Sequence, residues 1–385
     1  MQPPAFAPEP GTDALAHSER LAAYIRAEIA AAGGWLSFAR YMDLALYAPG
    51  LGYYAAGAVK FGAAGDFVTA PEISALFGQS LARQVAQVLR ASEPQVLEFG
   101  AGTGKLAADL LNALGDACAG YAILEPSPDL RERQAETLRR LAPDTFAKVR
   151  WLDTLPPQFS GCIVANEVAD AMPVQLLHID GDAVDERGVT LGVSGEFTYA
   201  DRPAGGAVLA AAQALQLEEA GEYVTEINLA VRAWVASLAT RLTEGAALII
   251  DYGFPAREYY HPQRHRGTLM CHYRHHAHDN PFLLPGLQDI TAHVDFSALA
   301  DAAEEAGLQL MGYASQASFL LDCGITELLA AVPATDSARY LPLTNQANRL
   351  LSPAEMGELF KVMLLGRDGI DDPLGFRSGD RSRRL

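Results

Sequence analysis

The segment Glu98-Phe99-Gly100-Ala101-Gly102-Thr103-Gly104 sets glycines on alternate positions behind an acidic residue, directly after the apolar run Val96-Leu97. Glycines at a strand-to-helix turn leave backbone N–H groups open to a ligand, and the following helix adds partial positive charge. Three cofactor classes use that device. The phosphate-binding G-x-x-x-x-G-K-[ST] loop does not fit, because Leu106 follows Gly104-Lys105 and Phe99 stands where the first glycine belongs. A dinucleotide fingerprint needs G-x-G-x-x-G, and here the third glycine comes one position early. S-adenosylmethionine fits better: Glu98 would repel a pyrophosphate but suits a sulfonium and an ammonium. Glu125, about twenty residues beyond the loop, can accept hydrogen bonds from both ribose hydroxyls. The competing account is that these glycines only make a tight turn.

A second run, Gly161 to Ala165, ends in Asn166-Glu167-Val168-Ala169-Asp170. Ligands of open α/β sheets gather beyond the carboxyl ends of the strands, which places Asn166 beside the same cofactor. Methyl transfer is an in-line attack, so the protein's work is orientation and exclusion of water. If the acceptor is a guanidinium, a carboxylate can hold its N–H groups in a fork and localise electron density on the attacking nitrogen. Glu167 is the first choice for that role and Asp170 the second, against the simpler reading of a helix cap. His293 and Asp295 could form a His–carboxylate pair that takes the released proton. Asp295 could equally cap the helix after it. His272, His275, His276 and His278 lie among Arg266, Tyr273 and Arg274 without the acid–His spacing of zinc enzymes. No metal is therefore expected, and the His-rich segment reads as a cationic lid or a polar insertion.

These side chains need a frame. Apolar runs at Gln95–Phe99, Tyr121–Glu125, Gly161–Ala165 and Ala246–Asp251 alternate with helical patterns at Lys105–Leu114 and Asp129–Leu141, which calls for a doubly wound α/β fold. Strands at Leu308–Tyr313 and Leu359–Leu365, the last pairing antiparallel, would complete a seven-stranded Rossmann-like sheet of the class I methyltransferase kind. Helices are expected from Ser18 to Ala32, Trp35 to Tyr47, Ile73 to Leu89, Val224 to Leu242, Phe296 to Ala306 and Gln316 to Ala331. Val174–Ile179 and Val189–Tyr199 alternate apolar and polar residues as an inserted hairpin does. The expected organisation is a flexible N-terminus at 1–16 and a helical accessory lobe at 17–92. A methyltransferase domain follows at 93–366, with insertions near 174–222 and 255–290, and then a loose C-terminal tail at 367–385.

Composition narrows the partners. The 385 residues are half apolar and carry a formal net charge of -18, which argues against holding nucleic acid by bulk electrostatics. Cys118, Cys162, Cys271 and Cys323 form no C-x-x-C pair and read as free thiols in a reducing compartment. No apolar run approaches the ~20 residues of a membrane span, and the Pro/Ala-rich start has neither signal-peptide nor presequence character. The cytoplasm is the expected location.

Several segments together resemble one family. They are Gly65-Asp66-Phe67-Val68-Thr69-Ala70-Pro71-Glu72-Ile73-Ser74, the glycine loop from Glu98 to Leu106, and Ala165 to Pro173. Asp251-Tyr252-Gly253 and Asp289 to Phe296 complete the set. The chain is similar over almost its whole length to the MidA-like class I methyltransferases, which include a mitochondrial complex I assembly factor that methylates arginine. One stretch departs: Ala101-Gly102-Thr103-Gly104 stands where a P-G-R-G loop is common in that family. The resemblance implies that Thr69, Pro71 and Glu72 lie near the cofactor, although Thr69-Ala70-Pro71-Glu72 is also a good helix start. It also implies a protein substrate, one tied to the respiratory chain in the family's mitochondrial members. The leading expectation is arginine methylation of a protein, linked to complex I assembly or to a related bacterial target. Methylation of a small molecule or another residue, and a cofactor-binding assembly factor with little activity, are the alternatives.

Overall fold

The computed structural model describes residues 9–56, 69–215, 217, 222–367 and 369–385. The chain divides into two units, each drawn from three separate stretches. The second unit (Val68–Ala169, Arg232–Ala256 and Val294–Leu385) carries the expected sheet. Its strands are β1 (Gln95–Phe99), β2 (Gly120–Leu124), β3 (Val149–Leu152), β4 (Phe159–Asn166), β5 (Leu242–Phe254), β6 (Gln309–Ser315) and β7 (Phe360–Gly366). They lie in the order β6-β7-β5-β4-β1-β2-β3, with the two-residue strand Val294–Asp295 added beside β5. Pairings from β5 through to β3 are parallel, whereas β7 runs antiparallel to both β5 and β6. Central strands of such a sheet are covered on both faces and so read as continuous apolar runs. Cys162-Ile163-Val164-Ala165 and Ala246 to Ile250 are accordingly all buried. Helices Ala75–Arg90 and Lys105–Leu114 share one core with the sheet, through Phe77, Leu81 and Val85 against Leu106, Leu110 and Val164.

The first unit (Met1–Phe67, Asp170–Val231 and Arg257–His293) is built on an antiparallel sheet. Gln175–Asp180, Ala183–Leu191 and Phe197–Pro203 form three antiparallel strands rather than the two-stranded hairpin expected, because the chain turns at residues 192–196 within Val189–Tyr199; Tyr223–Ile227 and Leu36–Ser37 join them. Helices Thr12–Ala31 and Phe38–Tyr47 pack on it through an aromatic core, with Tyr41 at 5.7 Å from Phe197 and 5.3 Å from Phe282 between ring centroids. The His-rich segment folds as a small sheet of Met270–Tyr273, His276–His278 and Asp289–Thr291.

Several expectations are corrected. The first helix begins at Thr12 rather than Ser18, so part of the supposed lead-in is structured. Residues 17–92 do not stay together: the first two helices belong to the first unit and Ala75–Arg90 to the second. Leu36–Ser37 pairs with Val189 and Gly188 before the helix starts. Tyr223–Ile227 is a strand, and the helix after it runs Leu229–Arg241. Extended Ser74 and left-handed Gly324 interrupt helices expected to be continuous. The C-terminal segment is not loose: Phe376 is buried against Phe319, and the Arg381 N–H donates to the Tyr313 carbonyl at 2.6 Å. Gly65 to Val68 of the family signature lie outside the described residues.

Candidate functional site

Register alone brings the predicted residues of the second unit to one edge. Phe99 pairs with Leu124 on one side and Ala165 on the other, and Ile250 pairs with Asn166. Gly100, Glu125 and Glu167 therefore all leave the sheet at the carboxyl ends of adjacent strands, and Asp251, still within β5, directly follows Ile250. The strand order reverses at β1, the point where open α/β sheets bind ligands.

The glycine loop forms a backbone cradle. Gly100, Gly102 and Gly104 all have left-handed φ values, of 57°, 53° and 83°. Gly104 is doubly constrained, because a Cβ there would stand 3.1 Å from Gln134 Cα in a conformation L-residues avoid. The Gly104 N–H closes the turn on the Ala101 carbonyl at 2.7 Å, and Ala101 is buried beneath it. Glu72 accepts a hydrogen bond from the Thr103 hydroxyl, which joins helix Ala70–Ile73 to the loop. Pro71 stands in the first turn of that helix and Thr69 is its N-cap, although the Thr69 side chain makes no capping bond.

Glu98 lies beneath the loop, and its Oε2 accepts the Tyr121 hydroxyl at 2.8 Å. Burial pushes the Glu98 carboxyl up to about 8, with the Tyr121 bond pulling the other way. The bare charge expected from sequence is thus a protonated acid at neutral pH, until a neighbouring cation favours ionisation. Glu125, at the end of β2, is buried, and it accepts the Ser127 N–H at Oε1 (3.0 Å) and the Gln134 amide at Oε2 (3.2 Å).

Asn166 donates to Glu167 Oε1 at 3.1 Å, while its own Oδ1 is buried with no hydrogen-bond partner among the described residues. Glu167 has a φ of 53°, a conformation few non-glycine residues hold. Asp251, fully buried, accepts the N–H groups of Val168 and Ala169. Asp295 takes the capping role, its Oδ1 accepting the N–H groups of Ser297 and Ala298 at 3.0 and 3.1 Å. A cradle of left-handed glycines, a buried acid at the next strand end and an unpaired amide oxygen fit S-adenosylmethionine: donors for its carboxylate, acceptors for its ribose and ammonium.

Asp170 and His293 belong to the first unit. The Asp170 carbonyl accepts the Ala292 N–H at 3.0 Å, and the His293 N–H donates to Thr268 Oγ1 at 3.0 Å. Near Asp170 in sequence, the Tyr47 hydroxyl donates to the Ala171 carbonyl, and Tyr47 stacks on Tyr54, which donates to Asp289. Among the described residues, no group of three or more His, Cys, Asp and Glu side chains is placed to hold a metal ion.

The sequence assigns no site role to Tyr121, Gln134 or Asp251. Gln134 gives no motif signal, being one polar residue in a charged helix. Asp251 was visible as part of a family segment, but its contact with a turn more than eighty residues earlier was not.

The chain belongs to a family of S-adenosyl-L-methionine-dependent methyltransferases, whose model matches residues 80–314. It is an enzyme of that class with S-adenosylmethionine as cofactor. It is 54% identical to a COG1565 superfamily member from Burkholderia thailandensis, whose crystal structure holds S-adenosyl-homocysteine. That likeness has a TM-score of 0.94 and covers 98% of this chain and 100% of the other. It is also similar to the mitochondrial protein arginine methyltransferase NDUFAF7 of Danio rerio, 31% identical over 86% of this chain and 83% of the relative. The Drosophila melanogaster NDUFAF7 homolog is 30% identical over 95% of this chain and 89% of its own. Among the described residues, no helix is long and apolar enough to cross a membrane.

Proposed function

We propose that this enzyme methylates an arginine side chain of a protein substrate. The observation that carries the proposal is the similarity, over most of both chains, to relatives named protein arginine methyltransferases. When bound, S-adenosylmethionine supplies a methyl group on a sulfonium, open to in-line attack by a nitrogen lone pair. Gly100, Ala101, Gly102 and Gly104 bind its methionine end through backbone groups, with Thr69, Pro71 and Glu72 alongside. Asn166 Oδ1 accepts from the ammonium, Glu98 faces the cationic centre, and Glu125 takes the ribose hydroxyls. Glu167 orients the guanidinium.

The acceptor is proposed to be a respiratory-chain subunit, in connection with complex I assembly, on the strength of the MidA-like resemblance. A reducing compartment such as the cytoplasm suits the free thiols at Cys118, Cys162, Cys271 and Cys323. The test is intact-mass and fragment analysis of respiratory subunits incubated with the enzyme and S-adenosylmethionine. Methyl increments on arginine are the expected result. Increments on another residue, or unchanged subunits while a small molecule is methylated, would overturn the arginine assignment.

A further inference from the structure

We infer that Gln134, backed by Trp151, is a positioning residue that sets ribose specificity through Glu125. The inference rests on the reading of Glu125 as the ribose-binding carboxylate.

Gln134 is fully buried on helix Pro128–Leu141. Its Oε1 accepts the Trp151 indole N–H at 2.8 Å. Its Nε2 donates to Glu125 Oε2 and to the Gly102 carbonyl, both at 3.2 Å. An indole nitrogen can only donate, so Trp151 decides which end of the amide faces it. The amino group is thereby turned toward the two acceptors, one on the ribose acid and one in the glycine loop. With the amide reversed, N–H would face N–H, and the carbonyl oxygen would face a carboxylate and a second carbonyl. Each of those contacts is repulsive, and in a buried site each leaves a polar group unpaired.

The same residue also packs its backbone against Gly104. Three chain segments meet at Gln134: the loop, the end of β2 and strand β3, which carries Trp151. The amide holds one carboxylate oxygen of Glu125 while the Ser127 N–H holds the other. A carboxylate fixed in this way presents its plane to a vicinal diol in one orientation. A site built to accept hydroxyl donors rejects a ligand that lacks one, because a buried acceptor is then left without a partner.

Calorimetric titration of the full chain with S-adenosylhomocysteine and with its 2′-deoxy analogue reads this directly. The wild type is expected to prefer the ribose form by about tenfold or more. Trp151→Phe keeps the glutamine but releases its orientation, and Gln134→Met keeps the volume but removes the hydrogen bonds. Both are expected to bind S-adenosylhomocysteine about tenfold more weakly and to bring the preference toward one. If Gln134→Met fails to fold, Trp151→Phe decides. A wild-type preference in the folded variants, with the preference lost in Glu125→Ala, would overturn the role of Gln134 and leave the ribose reading standing. A preference retained in Glu125→Ala would overturn the ribose reading and the inference with it.

Discussion

The Asp251 carboxylate holds Ala169 in place: its Oδ2 accepts the Ala169 N–H at 2.9 Å and that of Val168 at 3.2 Å. Its other oxygen accepts the Tyr252 N–H at 2.9 Å. The tethered turn is the one that carries Glu167. Asp251→Ala would leave buried N–H groups without an acceptor, at about 1–3 kcal/mol each. Urea unfolding should show a lower midpoint with an unchanged slope; a wild-type midpoint would mean that the turn holds itself.

Glu167 combines a left-handed backbone with a carboxylate at the sheet edge. Glu167→Ala should lower kcat well beyond any change in cofactor Kd, because the role assigned to it lies in orienting the acceptor. Glu167→Gly should be equally slow yet more stable than the alanine variant by about 1 kcal/mol, since glycine accepts that φ without strain. Equal stability in the two would show that the backbone is not strained there. An equal fall in cofactor affinity would move Glu167 to the donor side.

The Glu98 carboxyl is raised from 4.5 to about 8 by burial. Between those values the folded state keeps a proton that the unfolded state has lost, so this group's contribution to stability is full below the lower value and falls as pH rises to the upper one. Glu98→Gln should flatten that descent in denaturation curves taken from pH 5 to 8.5, a difference of a few kcal/mol at most. A cation beside the carboxyl favours ionisation. S-adenosylmethionine should therefore bind more tightly as pH approaches about 8, while S-adenosylhomocysteine, with no sulfonium, should follow a flatter curve. Superimposable curves would separate Glu98 from the sulfonium.

Glu72 and Thr103 are joined by one hydrogen bond between helix Ala70–Ile73 and the glycine loop. Glu72→Ala and Thr103→Ala should each weaken cofactor binding about three- to tenfold. The double variant should be little worse than either single one, giving a coupling energy of about 1 kcal/mol in a double-mutant cycle. Additive losses would show that the two side chains act separately.

The alternation of buried strands with helices makes the sheet legible from sequence, as does the glycine spacing between Glu98 and Glu125. Both are local patterns. Strand β3 is not legible because Val149-Arg150-Trp151-Leu152 is a four-residue edge strand with an exposed arginine. Ser74 and Gly324 break helices whose apolar spacing continues across them, so backbone conformation overrides periodicity there. Glu98 reads as a charge because a sequence does not show desolvation. Gln134 carries no signal in the sequence because its three partners come from three places in the chain. Asp295 was legible as a cap from its position before Phe296, and the structure gives it that part.

The interleaving of the two units dictates the order in which the chain can be built. The first unit needs residues through His293, and two stretches of the second are made before then. Strand β7 lies between β5 and β6, both of which leave the ribosome before it. Until residues 360–366 emerge, those two neighbours each present an open edge to whatever strand is near. Long-range pairing of this kind forms slowly and leaves partly made chains prone to association. The nascent protein is therefore most vulnerable late in synthesis, when nearly all of its apolar surface exists and the strand that joins β6 to the rest of the sheet does not.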